Sequence, residues 1–468
     1  MTRAASGPPP ARARLAARVG RFELLTFLLA GLVSAWMVAH AQVGGDQLDL
    51  LARGWRLAAR GSLVPYGNPL SNGGKEIGAL TSLLVGLPLT LWMDHRAPVV
   101  VVWASHLLAF LLLLRTLRPI LHPAERLAFA LLYGLGPWRL YFAGFLWNPN
   151  YLYLIGAVHL ATALAQRARP RLGASFAHAL ALGLALQLHP SFLILAVASL
   201  LLVWRGYARP HWPGILAGGL VAALPLVPWI AYLRHDPGIL PGGKGFLGHG
   251  LVTLYPIFGG LWHWLRYSTL LVARRMGTID LSARFGERFD AALVPLWSAL
   301  VDGLGALAAL VALIGLWRFL RHHGISLLRR RLPSGASDRQ WLRGYVTWTL
   351  AAAVLAFAAA PTAVMWWQEL AVVHAAILPT VFLLGTLLVS PRWRRWARPG
   401  LALYAGATVL LLGGMALGAA HYRCDGRQTV NLALRSDHPM FHDLGILQSC
   451  PFPIDPAHGW WPDALPPE

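Results

Sequence analysis

Two carboxylates, Asp46 and Asp49, stand three residues apart in Val43-Gly-Gly-Asp-Gln-Leu-Asp49, directly after a long apolar run. Arg53, Arg56 and Arg60 follow. If 47–60 is helical, Asp49, Arg53, Arg56 and Arg60 share one face, by i, i+4, i+7 spacing. One carboxylate of such a pair suits a general base, a role worth about 10²–10⁴ in rate. The structural alternative has Asp46 capping the helix, favoured there by the dipole, and Asp49 pairing with Arg53.

Other polar residues interrupt apolar stretches. Phe142-Ala-Gly-Phe-Leu-Trp-Asn-Pro-Asn150 offers Asn148 and Asn150, which can hydrogen-bond a sugar or hold a base but cannot take a proton. The same residues also read as a turn with an interfacial Trp anchor. His189, in Gln187-Leu-His-Pro-Ser-Phe192, suits a phosphate contact or a hydrogen-bonded turn. Glu369 and His374 belong to Trp366-Trp-Gln-Glu-Leu-Ala-Val-Val-His374. Glu369 is expected to pair with an arginine, and His374 to serve the site or pack in the bundle. Segment 234–291 supplies Lys244, His249, Tyr255, His263, Arg266, Tyr267, Arg274 and Arg275. Arginine suits bidentate phosphate binding, and Arg266 and Lys244 are the expected phosphate partners. Arg274 and Arg275 read as snorkelling towards headgroups, and Asp302 as a helix-end residue. Asp437-His-Pro-Met-Phe-His-Asp443 has metal-like residue types, but Pro439 interrupts the spacing, so turn chemistry is expected and no metal site. Cys424 and Cys450 are expected to form one disulfide in an oxidising compartment.

The elements that must position these residues lie in a membrane. Of 468 residues, 56% are hydrophobic and only 13% charged, against about 25% charged in soluble domains. Disorder and a disulfide scaffold are excluded, and a nucleic-acid binder of this pI would be less apolar. The fold expected is an all-α polytopic bundle. Apolar runs near 22–40, 98–114, 126–146, 151–166, 174–189, 190–204, 213–233, 292–317, 345–361, 369–390 and 400–420 give eleven spans. Ile77–Met93 and Leu251–Ala273 are read as helices along the membrane surface. With the N-terminus inside and the C-terminus outside, 24 of the 40 Lys and Arg lie inside, with only Glu23, Glu125 and Asp338 as acids. The outside then holds 16 cations and 16 acids. If Ile77–Met93 crossed, only 17 cations would lie inside, against the positive-inside bias. The resulting organisation is a tail (1–21), a membrane domain (22–420) with large outer loops 41–97 and 234–291, and an outer tail (421–468).

An acid just beyond the first span, then a long outer loop with a surface helix, resembles the GT-C class of glycosyltransferases. The pattern is nearest the protein O-mannosyltransferase and lipid A aminoarabinose transferase branches. Asp46 matches the family's catalytic acid, and Ala52-Arg53 its later Ala-Arg; Gln47 departs from the usual Glu. The basic turn Arg115–Arg126, the helix Leu261-Trp-His-Trp-Leu-Arg-Tyr-Ser-Thr269, and the late motif around Glu369, His374 and Leu378-Pro379 also resemble the family's. A second acid, usual in the loop that here holds Asn148 and Asn150, is missing, which makes metal-assisted chemistry less expected. The resemblance implies a polyprenyl-phosphate sugar donor, a periplasmic lipid, glycan or protein acceptor, and a bacterial-type inner membrane. Asp46 or Asp49 would be the base, Arg266, Lys244 and His189 would hold the phosphate, and Asn148, Asn150, Glu369 and His374 would contact sugar or acceptor. No cofactor beyond the lipid-linked sugar is expected. A lipid or glycan transporter, or a non-catalytic envelope scaffold, are the rival readings; a transporter would need polar residues along a path through several spans.

Overall fold

The structure, a computed structural model, describes residues 11–41, 43–70, 74–237, 254–271, 287–324, 331–333, 335–360, 364–421 and 438–446. Among these the regular structure is helical, apart from one isolated antiparallel bridge between Pro69 and Lys75. Helix α1 (Ala11–Ala39) leads to α2 (Gly45–Arg60), α3 (Leu80–Leu91), α4 (Ala97–Leu117), α5 (Pro123–Phe129) and α6 (Pro137–Ala143). Then come α7 (Leu152–Ala165), α8 (Leu172–Leu188), α9 (Phe192–Trp204), α10 (Trp212–Ala223), α11 (Leu226–Leu233) and α12 (Leu254–Arg266). The chain continues through α13 (Glu287–Phe319), α14 (Asp338–Ala358), α15 (Val373–Val389), α16 (Arg394–His421) and the short α17 (Met440–Asp443).

Six helical stretches among the described residues are long and apolar enough to cross a membrane: Val19–Ala39, Ala97–Leu117, Pro295–Gly324, Asp338–Ala358, Trp366–Val389 and Arg394–Ala416. The pair α10 and α11, bent by 59°, makes a seventh if it crosses as one; α3, α8 and α9 are shorter apolar helices. Outward-facing leucines suit lipid contact. On α1, Leu24, Leu28, Leu32 and Trp36 recur every four residues and are 48–71% exposed.

The expected continuous span over 126–146 is not one helix. After α5 the chain makes a π-turn (Ala130–Gly134), breaks, and restarts at Pro137. Proline has no N–H to donate and sits well at a helix start. Arg139 folds back to satisfy the freed carbonyls, donating to Tyr133 O (3.0 Å), Gly134 O (2.5 Å) and His106 O (3.4 Å). Helix α7, read as a span over 151–166, has 14 residues and follows a 3-10 turn at Asn148–Tyr151. That is shorter than the about 20 residues of a perpendicular crossing.

One end of the bundle is tied by a run of ion pairs. Arg126 donates to Glu23 (Nε to Oε1, 2.7 Å), Arg339 to Glu125 (Nη1 to Oε2, 2.7 Å), and Arg167 pairs with Asp338. Because 125–126 and 338–339 are chain neighbours, the three pairs link α1, α5 and α14 to the residues after α7. All three acids assigned to the inner side from sequence therefore sit together. Asp46 lies beyond the other end of α1, about 24 Å of helix away from Glu23.

A buried polar chain crosses the helices. His374 Nε2 lies 3.1 Å from Tyr345 Oη, which lies 2.8 Å from His159 Nδ1. His159 Nε2 and His178 Nε2 each lie 2.9 Å from Ser199 Oγ, and His178 Nδ1 lies 2.8 Å from Thr162 Oγ1. The Ser199 hydroxyl donates its one proton to Leu195 O (2.8 Å), so both imidazoles donate into it. The chain joins α7, α8, α9, α14 and α15. Replacing His159 by Leu is expected to cost about 1–2 kcal/mol, read as a lower unfolding midpoint of the purified protein in detergent.

Candidate functional site

The carboxylates stand on α2, whose start is capped by Gly44; its N–H donates to the Gln47 side chain (3.1 Å). Asp46 is therefore not the cap. It lies in the first turn, exposed, and its Oδ2 accepts from the indole N–H of Trp147 at 3.0 Å. Trp147, read from sequence as a membrane anchor, instead holds the carboxylate. Helix α2 sits tightly on α3: a Cβ on Gly54 would lie 2.4 Å from a Val85 methyl, and one on Gly86 would lie 2.6 Å from a Leu57 methyl. Small residues at both points fix α2 against α3. At its other end Trp55 donates to Asp443 Oδ2 (2.8 Å) and meets the His438 ring edge-on at 5.0 Å. His438 Nδ1 accepts from the Met440 N–H (3.3 Å), the turn chemistry expected of this segment; Asp437 lies outside the described residues.

One turn on from Asp46 the chemistry becomes buried. Arg53, 2% exposed, donates to Asp49 Oδ2 (3.0 Å) and to Asn68 Oδ1 (2.8 Å), with Tyr66 against its guanidinium. Asn68 belongs to a narrow hairpin in which Gly67 N–H donates to Glu76 O and Glu76 N–H to Asn68 O, both at 2.9 Å. This turns the Glu76 side chain inward. Its Oε2 accepts from the Asn68 N–H (3.2 Å) and its Oε1 from the Asn148 amide, which also donates to Leu188 O (2.6 Å). Gly67 makes room for it, since a Cβ there would lie 2.6 Å from Oε2. Asp49, Arg53, Asn68, Glu76 and Asn148 thus form one connected polar cluster behind Asp46.

Burial pushes the Glu76 carboxyl up to about 8, although the Asn68 N–H, Arg53 and Asn148 oppose it. Asp49 is also raised by burial, against the pull of Arg53 and Lys75. Burial lowers Arg53, opposed by Asp49 and Glu76. Burial therefore favours the neutral form of Glu76 and brings its titration towards neutrality. The neutral form contributes stability in full below the ordinary glutamate range near 4.5, and that contribution is lost as pH rises through about 8.

Sequence reasoning missed Glu76, Asn68 and Lys75. The signal was available: Asn-Pro at 68–69 and the Ser-Asn-Gly-Gly run ending at Gly74 are residue types that favour turns, and Lys75-Glu76 follows them directly. The sequence around Asn148 holds no acid, but the hairpin brings the Glu76 carboxyl to it, hydrogen-bonded to the Asn148 amide. Asn150 stays apart from the cluster. It is fully buried and donates to Phe145 O (2.8 Å), while His106 contacts its carbonyl. His189 follows the carbonyl that holds Asn148, and its Nδ1 is shared with Ser191 in a tight turn.

Arg266 stands at the far end of an aromatic wall that runs to Asp46. Its guanidinium lies over Trp138 (5.3 Å) and donates to Leu271 O (3.1 Å). From Trp138 the rings run through Trp366 (5.4 Å) and Phe142 (5.3 Å) to Trp147 (6.2 Å). Glu369 does not meet the arginine expected for it: it is fully buried, and neither carboxylate oxygen has a hydrogen-bond partner among the described residues. The reason is packing. Its 3-10 turn presses on α7, where a Cβ on Gly156 would lie 1.9 Å from Ala371 O. His374 lies in the buried chain with Tyr345. Lys244, His249, Arg274, Arg275, Cys424 and Cys450 lie outside the described residues. No group of three or more His, Cys, Asp or Glu side chains suited to a metal ion occurs among the described residues.

No protein-family profile matches the sequence, and no curated protein matches it. Among solved structures, the chain is similar to ArnT from Cupriavidus metallidurans, both in the apo state and bound to undecaprenyl phosphate. In each case identity is 17%, 91% of this chain and 84% of that chain are covered, and the TM-score is 0.45. It is also similar to the Archaeoglobus fulgidus oligosaccharyltransferase in the apo form, at 12% identity and a TM-score of 0.48. That match covers 94% of this chain and 61% of the other.

Proposed function

We propose that the chain is a GT-C-like membrane glycosyltransferase that moves a sugar from a polyprenyl-phosphate donor to a periplasmic acceptor. The observation that carries this reading is the exposed Asp46 backed by the buried cluster of Asp49, Arg53, Asn68, Glu76 and Asn148. An accessible carboxylate held by a rigid polar support suits a base that must meet a substrate from the membrane. The acceptor oxygen attacks the anomeric carbon, and its proton passes to Asp46. The bond from that carbon to the phosphate oxygen breaks, its electron pair leaves with the lipid phosphate, and configuration inverts. Arg266, Lys244 and His189 hold the departing phosphate, while Asn148, Asn150, Glu369 and His374, all buried, act from behind the sugar and acceptor site rather than by touching them. Preorganised cations stabilise the developing charge, usually the largest single contribution to rate. The chain passes several times through an inner membrane, its N-terminus inside and its C-terminus and active site facing the periplasm.

Mass spectrometry of envelope glycolipids and glycoproteins, with and without the gene, tests this reading. Loss of one glycosylated species is expected, and an unchanged profile would favour a scaffold. The polar chain from His374 to Thr162 is the feature that most favours a transporter. Its donors point inward to Ser199 from both sides, so it has no single direction for passing a proton and reads as a clasp between helices.

Glu76 adds a pH signature. Above about pH 8 it gains a negative charge close enough to interact with Asp46, and transfer is expected to fall with rising pH. In Glu76→Gln, a mimic of the neutral acid, activity at pH 7 is expected within several-fold of wild type and the alkaline fall to vanish. An alkaline limb unchanged in this variant removes Glu76 from the rate.

A further inference from the structure

At the end of the bundle tied by the ion pairs, a groove of about 540 Å³ opens between α1 and α4. Its walls are Glu23, Leu111, Leu114, Arg115, Arg118 and Pro119. Residues 111, 114, 115 and 118 recur at i, i+3, i+4 and i+7, so they form one stripe of α4. The stripe changes character along its length. Leu111, 51% exposed, and Leu114 face the depth of the span, while Arg115 occupies its last turn and Arg118 lies just past its end at Leu117. Both arginines are exposed, and among the described residues neither is paired with an acid. Glu23, the one acid in the wall, is already bonded to Arg126 through both oxygens. The groove therefore offers an apolar floor leading to two uncompensated cations at headgroup depth.

We infer that this groove binds an anionic glycerophospholipid, with its acyl chains on Leu111 and Leu114 and its phosphate on Arg115 and Arg118. An apolar stripe ending in arginines matches an amphiphile with a phosphate head, and basic pockets at this depth bind anionic headgroups. A zwitterionic lipid brings a cation that Arg115 and Arg118 would repel. A soluble phosphate would gain nothing from the leucines. The groove lies at the Glu23 end of α1, away from Asp46, so it is separate from the proposed donor site, and the inference does not depend on that proposal.

Native mass spectrometry of the purified full-length chain tests it, with dioleoyl phosphatidylglycerol or dioleoyl phosphatidylcholine added to the detergent. Wild type is expected to retain phosphatidylglycerol about tenfold better than phosphatidylcholine, and the Arg115→Gln/Arg118→Gln variant to lose about tenfold of that retention. Arg115→Lys/Arg118→Lys keeps the charge and is expected to recover most of it. The unfolding midpoint without added lipid, unchanged in both variants, shows that they fold. Equal retention by wild type and the Gln variant overturns the assignment. So does equal retention of the two lipids, displacement by millimolar inorganic phosphate, or preferential retention of undecaprenyl phosphate.

Discussion

Replacing Asp46 by Asn is expected to cut sugar transfer by about 10²–10⁴ while leaving protein level and unfolding midpoint unchanged. The substitution keeps size and leaves one oxygen to accept the Trp147 N–H, so the geometry at 3.0 Å has no reason to change. What it removes is the ability to take a proton at this position. Asp46 is exposed and makes no ion pair with Arg53, so little folding energy depends on it. Asp49 differs. Its carboxylate is bonded to a buried arginine, so Asp49→Asn is expected to lower the unfolding midpoint as well as activity. The two variants, assayed in membranes supplied with labelled lipid-linked sugar and unfolded in detergent, separate a base from a support. Full transfer by Asp46→Asn would move the base elsewhere, and Asp49 or Glu76 would be next.

Several of these relationships were legible from residue types and spacing alone. The pairing of Asp49 with Arg53 follows from i, i+4 spacing on a helix. The grouping of Glu23, Glu125 and Asp338 at one end of the bundle follows from charge counting, because the arginine-rich loops contain few acids and each finds a partner. Other features depend on contacts that spacing does not encode. The break at 130–137 arises where Gly134 lets Phe110 approach, a Cβ there lying 2.4 Å from its ring, and where Arg139 supplies donors to stranded carbonyls. An apolar count over 126–146 passes over both. Glu76 belongs to no motif of its own; its place in the cluster appears only when the hairpin turns it onto Asn148, 72 positions away. Trp147 has the composition of a membrane anchor, and only the position of Asp46 reveals what its N–H does.

Replacing Arg53 by Leu is expected to cost about 3–5 kcal/mol, the loss typical of breaking a buried ion pair from one side. Arg53 is nearly inaccessible and satisfies Asp49 and Asn68 at once, with the Glu76 carboxyl close enough to feel its charge. Leucine fills much of the volume but leaves the half-buried Asp49 without its ion-pair partner and Asn68 Oδ1 without the Arg53 donor. The carboxyls respond by holding their protons to higher pH, which relieves only part of the penalty. A lower unfolding midpoint and faster amide exchange across 45–70 are the expected readouts. Transfer falls too, because the helix that presents Asp46 loses its tie to the hairpin. Lysine restores the charge but not the fork that reaches two partners, so Arg53→Lys is expected to recover part of the stability. Asp49→Leu in the Arg53→Leu background removes the stranded carboxylate, and stability should rise relative to the single variant. If the double variant is instead less stable, the energy lies in the packing of the arginine stem rather than in the ion pair. Asp46→Asn and Arg53→Leu then divide the site: the first loses chemistry at constant stability, whereas the second loses both, since the accessible base depends on a buried cation one helical face behind it.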